Sequence, residues 1–117
     1  MTELIIPAKV PALETLVERP IDRASRRIFL ALLKKIRKGK ITLIEDDRQF
    51  MFGERAPANG LSAKIRVRHP RFYTRTVFGG TIGSGEAYMA GFWYPDDLTT
   101  VIRIVIQNKQ VFEEMEK

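Results

Sequence analysis

Three features have the residue types and spacing from which chemistry could be built: a glycine-rich run, a lone histidine and an isolated carboxylate. Gly79-Gly80-Thr81-Ile82-Gly83-Ser84-Gly85 has the composition of loops that cradle phosphate through backbone N–H groups. It lacks the Gly-Lys-Ser/Thr ending of a P-loop and the G-x-G-x-x-G of a dinucleotide site, and the residues after it pattern as a strand. Its bland reading is a tight helix-to-strand connection. His69 precedes Pro70, with no serine or aspartate beside it in a nucleophile–base arrangement. It reads as a solvent-side histidine. Glu86 is the one acid between Glu54 and Asp96. Its simplest roles are a pair with Arg71 or Arg75, or acceptance of backbone N–H bonds from the glycine turn.

No catalytic residue is therefore assigned. The chain contains no cysteine, which excludes disulfides, thiolate metal sites and thiol nucleophiles. One histidine and no carboxylate cluster leave no metal site to propose. The 117 residues fit one domain of ordinary soluble composition. With 20 basic and 14 acidic residues the net charge is +6, which favours anionic partners. The first residues lack a basic start and a long apolar run, and no window is apolar enough to span a bilayer. A cytoplasmic protein, peripheral at most on the inner membrane face, is expected.

The elements that must position these residues follow from periodicity. Residues 1–20 hold three prolines and read as an arm, with a short helix over Ala12–Glu18. Residues 21–39 predict an amphipathic helix capped by Asp22 and stopped by Gly39. Ile21, Ile28, Phe29, Leu32, Leu33 and Ile36 form its apolar stripe. Arg23, Arg26, Arg27, Lys34, Arg37 and Lys38 lie opposite, with Leu30 among them, and Lys35 adds to a basic run over 23–40 without an acid. Such a helix either packs on a sheet or lies on an anionic membrane.

Ile41–Ile44 and Arg48–Phe52 flank Glu45-Asp46-Asp47 as a hairpin. Leu61–Arg68 alternates: Leu61, Ala63, Ile65 and Val67 face inward, Lys64, Arg66 and Arg68 outward. A short helix over 71–78 follows, with Arg71 and Arg75 on it. Ala87–Tyr94 then reads as a strand interrupted by Gly91, with Tyr88 and Phe92 on one face and Met89 and Trp93 on the other. Those aromatics are either sheet core or an apolar ligand surface. A last helix carries Leu98, Val101, Ile102, Val105 and Ile106 inward and ends near Asn108; residues 109–117 read as a tail or linker. Helices and strands segregate, so the class is α+β: a mostly antiparallel sheet of four to five strands with helices on one face. Cations with Phe72 and Tyr73 nearby also permit a single-stranded nucleic-acid reading, but no recognised motif supports it.

Three groups of residues carry a resemblance. Ile41–Ile44 with Phe50–Gly53, Ile65-Arg66-Val67-Arg68-His69-Pro70-Arg71-Phe72-Tyr73, and Gly79–Gly91 followed by Trp93 and Asp96-Asp97-Leu98 together resemble the N-terminal domain of the cyclopropane-fatty-acyl-phospholipid synthase family. Ser84 stands where that family usually has Leu, Ala90 where it has Asp, and Phe92 replaces one aromatic of a common pair. The resemblance implies a sterol-carrier-like fold without catalytic residues. It implies a domain that engages anionic phospholipid or acyl chains, working with a methyltransferase domain in cis or trans. That separate domain would bind S-adenosylmethionine; no cofactor is expected in this chain. Gly83, Gly85, Glu86, Tyr88, Met89, Gly91, Phe92 and Trp93 are then the residues expected to meet lipid or dock the partner domain. Lys34, Lys35, Arg37, Lys38, Lys64, Arg66, Arg68, Arg71 and Arg75, with Arg26 and Arg27, are expected to meet the anionic surface. A stand-alone lipid carrier is the alternative.

Overall fold

The computed structural model describes residues 18–113. The arm proposed for residues 1–20, with its short helix, lies almost wholly outside them. The chain runs α1 (Pro20–Leu33), β1 (Lys40–Glu45), β2 (Arg48–Gly53), β3 (Ser62–Val67), α2 (Arg71–Met89), β4 (Trp93–Pro95), α3 (Leu98–Gln107) and α4 (Lys109–Glu113). The strands form one sheet in the order β2-β1-β3-β4.

The expected hairpin forms, with Leu43 opposite Phe50 and Ile41 opposite Phe52. It also explains the one parallel pairing, β1 with β3. Parallel neighbours usually need a helical crossover. Here β2 has already returned the chain to the start of β1, so residues 54–61 suffice to begin a strand in the same direction. β3 and β4 pair antiparallel, placing Arg66 opposite Tyr94. Two of three pairings are antiparallel and the fold is α+β, as the patterning predicts.

The inward side chains of β1 and β3, Ile41, Leu43, Ala63, Ile65 and Val67, meet Phe29 and Leu33 of α1, Phe72 and Tyr73 of α2, and Val101 and Ile104 of α3 in one core. Phe29 meets Phe72 edge-on at 5.3 Å between ring centroids. The opposite sheet face carries Lys64, Arg66 and Met51, all exposed.

Several boundaries differ from the reading above. Pro20 at the first helical position starts α1 earlier, so Asp22 lies inside the first turn and reaches back to accept the Arg19 backbone N–H at 3.0 Å. The helix ends at Leu33, well before Gly39. Its buried face runs through Asp22, Ser25, Phe29, Leu32 and Leu33, leaving Ile21 and Ile28 half in water.

The largest correction concerns residues 79–90. They are neither a glycine loop nor the start of a strand: they continue α2, which breaks only at Gly80 (φ 58°, ψ −138°). Two signals were available. Gly91, at φ 79°, occupies the position after the helix, where its N–H bonds to the Tyr88 carbonyl and that of Phe92 to Ala87. This is a glycine helix stop rather than a strand interruption. Gly83 supplies the other. A Cβ there would stand 1.9 Å from the Arg75 carbonyl oxygen, so the two halves of α2 meet backbone to backbone. Glycine here serves close packing, not phosphate.

Candidate functional site: an apolar cavity

The kink in α2 and the crossing of α3 leave space over the helical side of the sheet. A cavity of about 590 Å³ lies there, within the range of small-ligand sites, roughly 300–1,000 Å³. Its inner walls are Phe29 and Leu33 of α1, Ile41 and Ile65 of the sheet, and Phe72 of α2. Thr76 and Ser84, on opposite sides of the kink, contribute two hydroxyls; Ser84 Oγ donates to the Gly80 carbonyl at 2.9 Å. Tyr88 and Trp93 close one side, with ring centroids 5.5 Å apart. The Trp93 indole N–H donates to the Ser84 carbonyl at 3.0 Å, which ties β4 to the second half of α2. Ile102 and Ile106 of α3, both exposed, stand at the rim. The charged lining residues are Lys109 and Glu113, paired with each other at 3.7 Å on α4.

Such walls suit an aliphatic chain and no charged group, because an ion buried there would lack a partner. No metal-holding cluster of His, Asp or Glu occurs among the described residues. The glycine-rich run is helical on both sides of the break at Gly80, rather than the loop its composition suggests.

Of the residues expected to meet lipid or a partner, Gly85, Tyr88 and Trp93 line the cavity. The others do not. Gly83 packs helix on helix, Glu86 is exposed and pairs with Arg75 at 3.5 Å, and Met89 is 80% exposed. Phe92 stacks on His69 at 4.7 Å. The expected strand alternation over 87–94 is replaced by helix up to Met89, and only Trp93–Pro95 is strand. Burial and then neighbouring Arg71 push the His69 imidazole below its ordinary pKa. Its Nδ1 accepts the Arg71 backbone N–H at 3.1 Å.

The basic residues divide. Arg27, Lys34, Arg37, Lys38, Lys64, Arg66 and Arg71 are exposed, as is Lys35. Arg68 lies over the Tyr94 ring at 5.2 Å. Arg26 is turned inward, and its expected surface role falls away. Its guanidinium donates to both oxygens of Glu45 at 2.8 and 2.9 Å. Glu45, 1% exposed, also accepts from Arg48 at 3.1 Å and from the buried Tyr73 hydroxyl. Burial opposes ionisation of Glu45, yet the bonds from Arg26 and Tyr73 outweigh it and hold the carboxyl below its usual range. Glu45 had looked like the first residue of a turn. Its place at the end of an apolar strand, in phase with Ile41 and Leu43, was the signal for an inward carboxylate.

Comparison with known proteins gives two distant relatives. Cyclopropane-fatty-acyl-phospholipid synthase from Escherichia coli (strain K12) is 39% identical to this chain over 51 residues, 40% of the chain and 13% of the relative's length. The synthase of the same name from Escherichia coli O6:H1 matches to the same extent. The chain is distantly related to these synthases. It spans 13% of the length of the curated relatives it matches. No protein-family model and no solved structure matches. The relatives' name speaks of a fatty-acyl phospholipid.

Proposed function

We propose that this chain is a non-catalytic, lipid-engaging domain that acts with a methyltransferase of the cyclopropane-fatty-acyl-phospholipid synthase type, in cis or in trans. The single observation that carries this reading is the apolar cavity of about 590 Å³ beside Tyr88 and Trp93. An acyl chain enters the cavity, while the headgroup stays in water at the rim. Lys64 and Arg66 on the open sheet face, with Lys34, Lys35, Arg37 and Lys38 after α1, add attraction to anionic phospholipid. Each cation held near such a surface contributes about 1 kcal/mol at ordinary ionic strength. S-adenosylmethionine is held by the methyltransferase domain, not by this chain.

The test is titration with cis-parinaric acid, a fluorescent fatty acid, displaced by unlabelled saturated acids. Each methylene moved from water into an apolar site gains about 0.8 kcal/mol, so affinity should rise about fourfold per added methylene until the cavity is filled. Ile102→Trp, placed at the rim on an exposed position, should block binding and leave folding intact. Absence of any fatty-acid binding by the folded wild-type protein would sink the proposal. A stand-alone carrier is the second reading, favoured by the same cavity. It is separated by co-sedimentation with phosphatidylglycerol vesicles: a carrier binds the fatty acid but not the vesicle.

A further inference from the structure

We infer that α4 is a gate of this cavity, a wall that swings about Asn108 to admit an aliphatic chain while α1, α2, α3 and the sheet stay in place. The inference rests on the acyl-chain reading above. The argument begins with the unequal attachment of two adjacent pieces of chain. Asn108 is buried at the end of α3. Its Oδ1 accepts the backbone N–H groups of Arg37 and Lys38 at 2.9 and 3.2 Å. Its Nδ2 donates to the carbonyls of Lys38 and Ile104, each at 2.8 Å. One side chain thus fastens the segment before β1 to the end of α3. The backbone at Asn108 leaves the helical region (φ −116°, ψ 35°), so α4 is not a rigid continuation of α3.

Beyond that anchor, the attachment among the described residues is slight. α4 contains no buried residue. Lys109, Phe112 and Glu113 line the cavity, and their spacing puts them on one face of the helix. Phe112 is half-buried against the core and is flanked by the exposed Lys109–Glu113 pair. An exposed ion pair contributes little to holding a closed position. Among the described residues, closure therefore depends mainly on two half-buried side chains, Phe112, which packs on the core, and Val111. Moving α4 uncovers the cavity without disturbing the Asn108 hydrogen bonds or any fully buried side chain. Weakly attached segments beside a ligand site are the ones that open.

Stopped-flow mixing with cis-parinaric acid tests this. A mere wall contact, when lost, speeds dissociation alone. A gate, when loosened, speeds both directions. Phe112→Ala should raise association and dissociation rate constants together by roughly tenfold, the factor for one half-buried aromatic contact. Ile106→Ala, at the rim on the fixed α3, should raise dissociation only. Lys109→Ala with Glu113→Ala, both exposed, should move the rates the same way as Phe112→Ala by a smaller factor, and serves if Phe112→Ala fails to fold. An unchanged association rate in both α4 variants overturns the gate and leaves the acyl-chain site standing. No binding of the probe by wild-type protein overturns both.

Discussion

Glu45 shows how much a single residue can commit. Its carboxylate is buried between Arg26, Arg48 and Tyr73 and joins α1, β1 and α2 in one network. Removing one member of a buried pair leaves a charge without its partner, which costs about 3–5 kcal/mol. Arg26→Ala should fall at the low end, because the Arg26 side chain is 26% exposed and Arg48 remains. Chemical denaturation measures it; a loss under 1 kcal/mol would show that water reaches Glu45. The glycines of α2 offer a sharper contrast. A Cβ on Gly83 meets the Arg75 carbonyl, whereas one on Gly85 meets nothing within 4 Å. Gly83→Ala should therefore destabilise by roughly 3 kcal/mol. Gly85→Ala should stabilise by about 0.5–1 kcal/mol, the usual gain of alanine over glycine inside a helix. If the run were a loop, the two substitutions would behave alike.

Among the elements, β3 has two faces that do different work. Ala63, Ile65 and Val67 are buried in the core, while Lys64 and Arg66 point to the open side of the sheet. Lys64→Glu with Arg66→Glu should leave the melting temperature nearly unchanged. It should also weaken binding to phosphatidylglycerol vesicles at low salt, and the difference should fade as salt shortens the screening length. Loss of folding would instead mean that these side chains are needed inside. The α3 helix is also two-faced. Val101 and Ile104 are buried, while Ile102 and Ile106 stand exposed at the cavity rim. The sequence pattern could not separate these roles, since core and ligand site both ask for aliphatic residues. Hence Leu98, Ile102 and Ile106 read as core although all three are exposed.

At the scale of the whole molecule, stability should depend on pH through its buried carboxylates. Glu45 is held below its usual range, as described. For Asp22, burial opposes ionisation, but bonds from Arg19 and from Thr74 Oγ1 at 2.6 Å win and depress its pKa strongly. Depressed folded values mean that the unfolded chain binds more protons. Their stabilisation is complete above the unfolded values, about 4, and is lost as pH falls through and below them. The lowered His69 pKa adds a shallower loss as pH falls through about 6.5. Melting temperature measured from pH 7 to pH 3 should fall gently at first and then steeply. Glu45→Gln should start lower at pH 7 and show a flatter acid limb; an acid limb of unchanged slope would remove Glu45 from the account.

Local pattern determined much of this protein. Alternation in Leu61–Arg68, the β-branched run before Glu45 and the absence of cysteine were enough for the hairpin, the basic strand, the α+β class and the exclusion of thiol chemistry. These are properties of neighbours along the chain, where period two or a missing residue type decides. Tertiary structure decided the rest. Position 83 has no room for a side chain because the Arg75 carbonyl of the same kinked helix lies against it, and Arg26 is turned inward to Glu45 of a different element. The cavity is made of side chains drawn from four helices and the sheet, at positions 29 to 113. Empty space has no residue of its own, so only the packing of distant segments could disclose it.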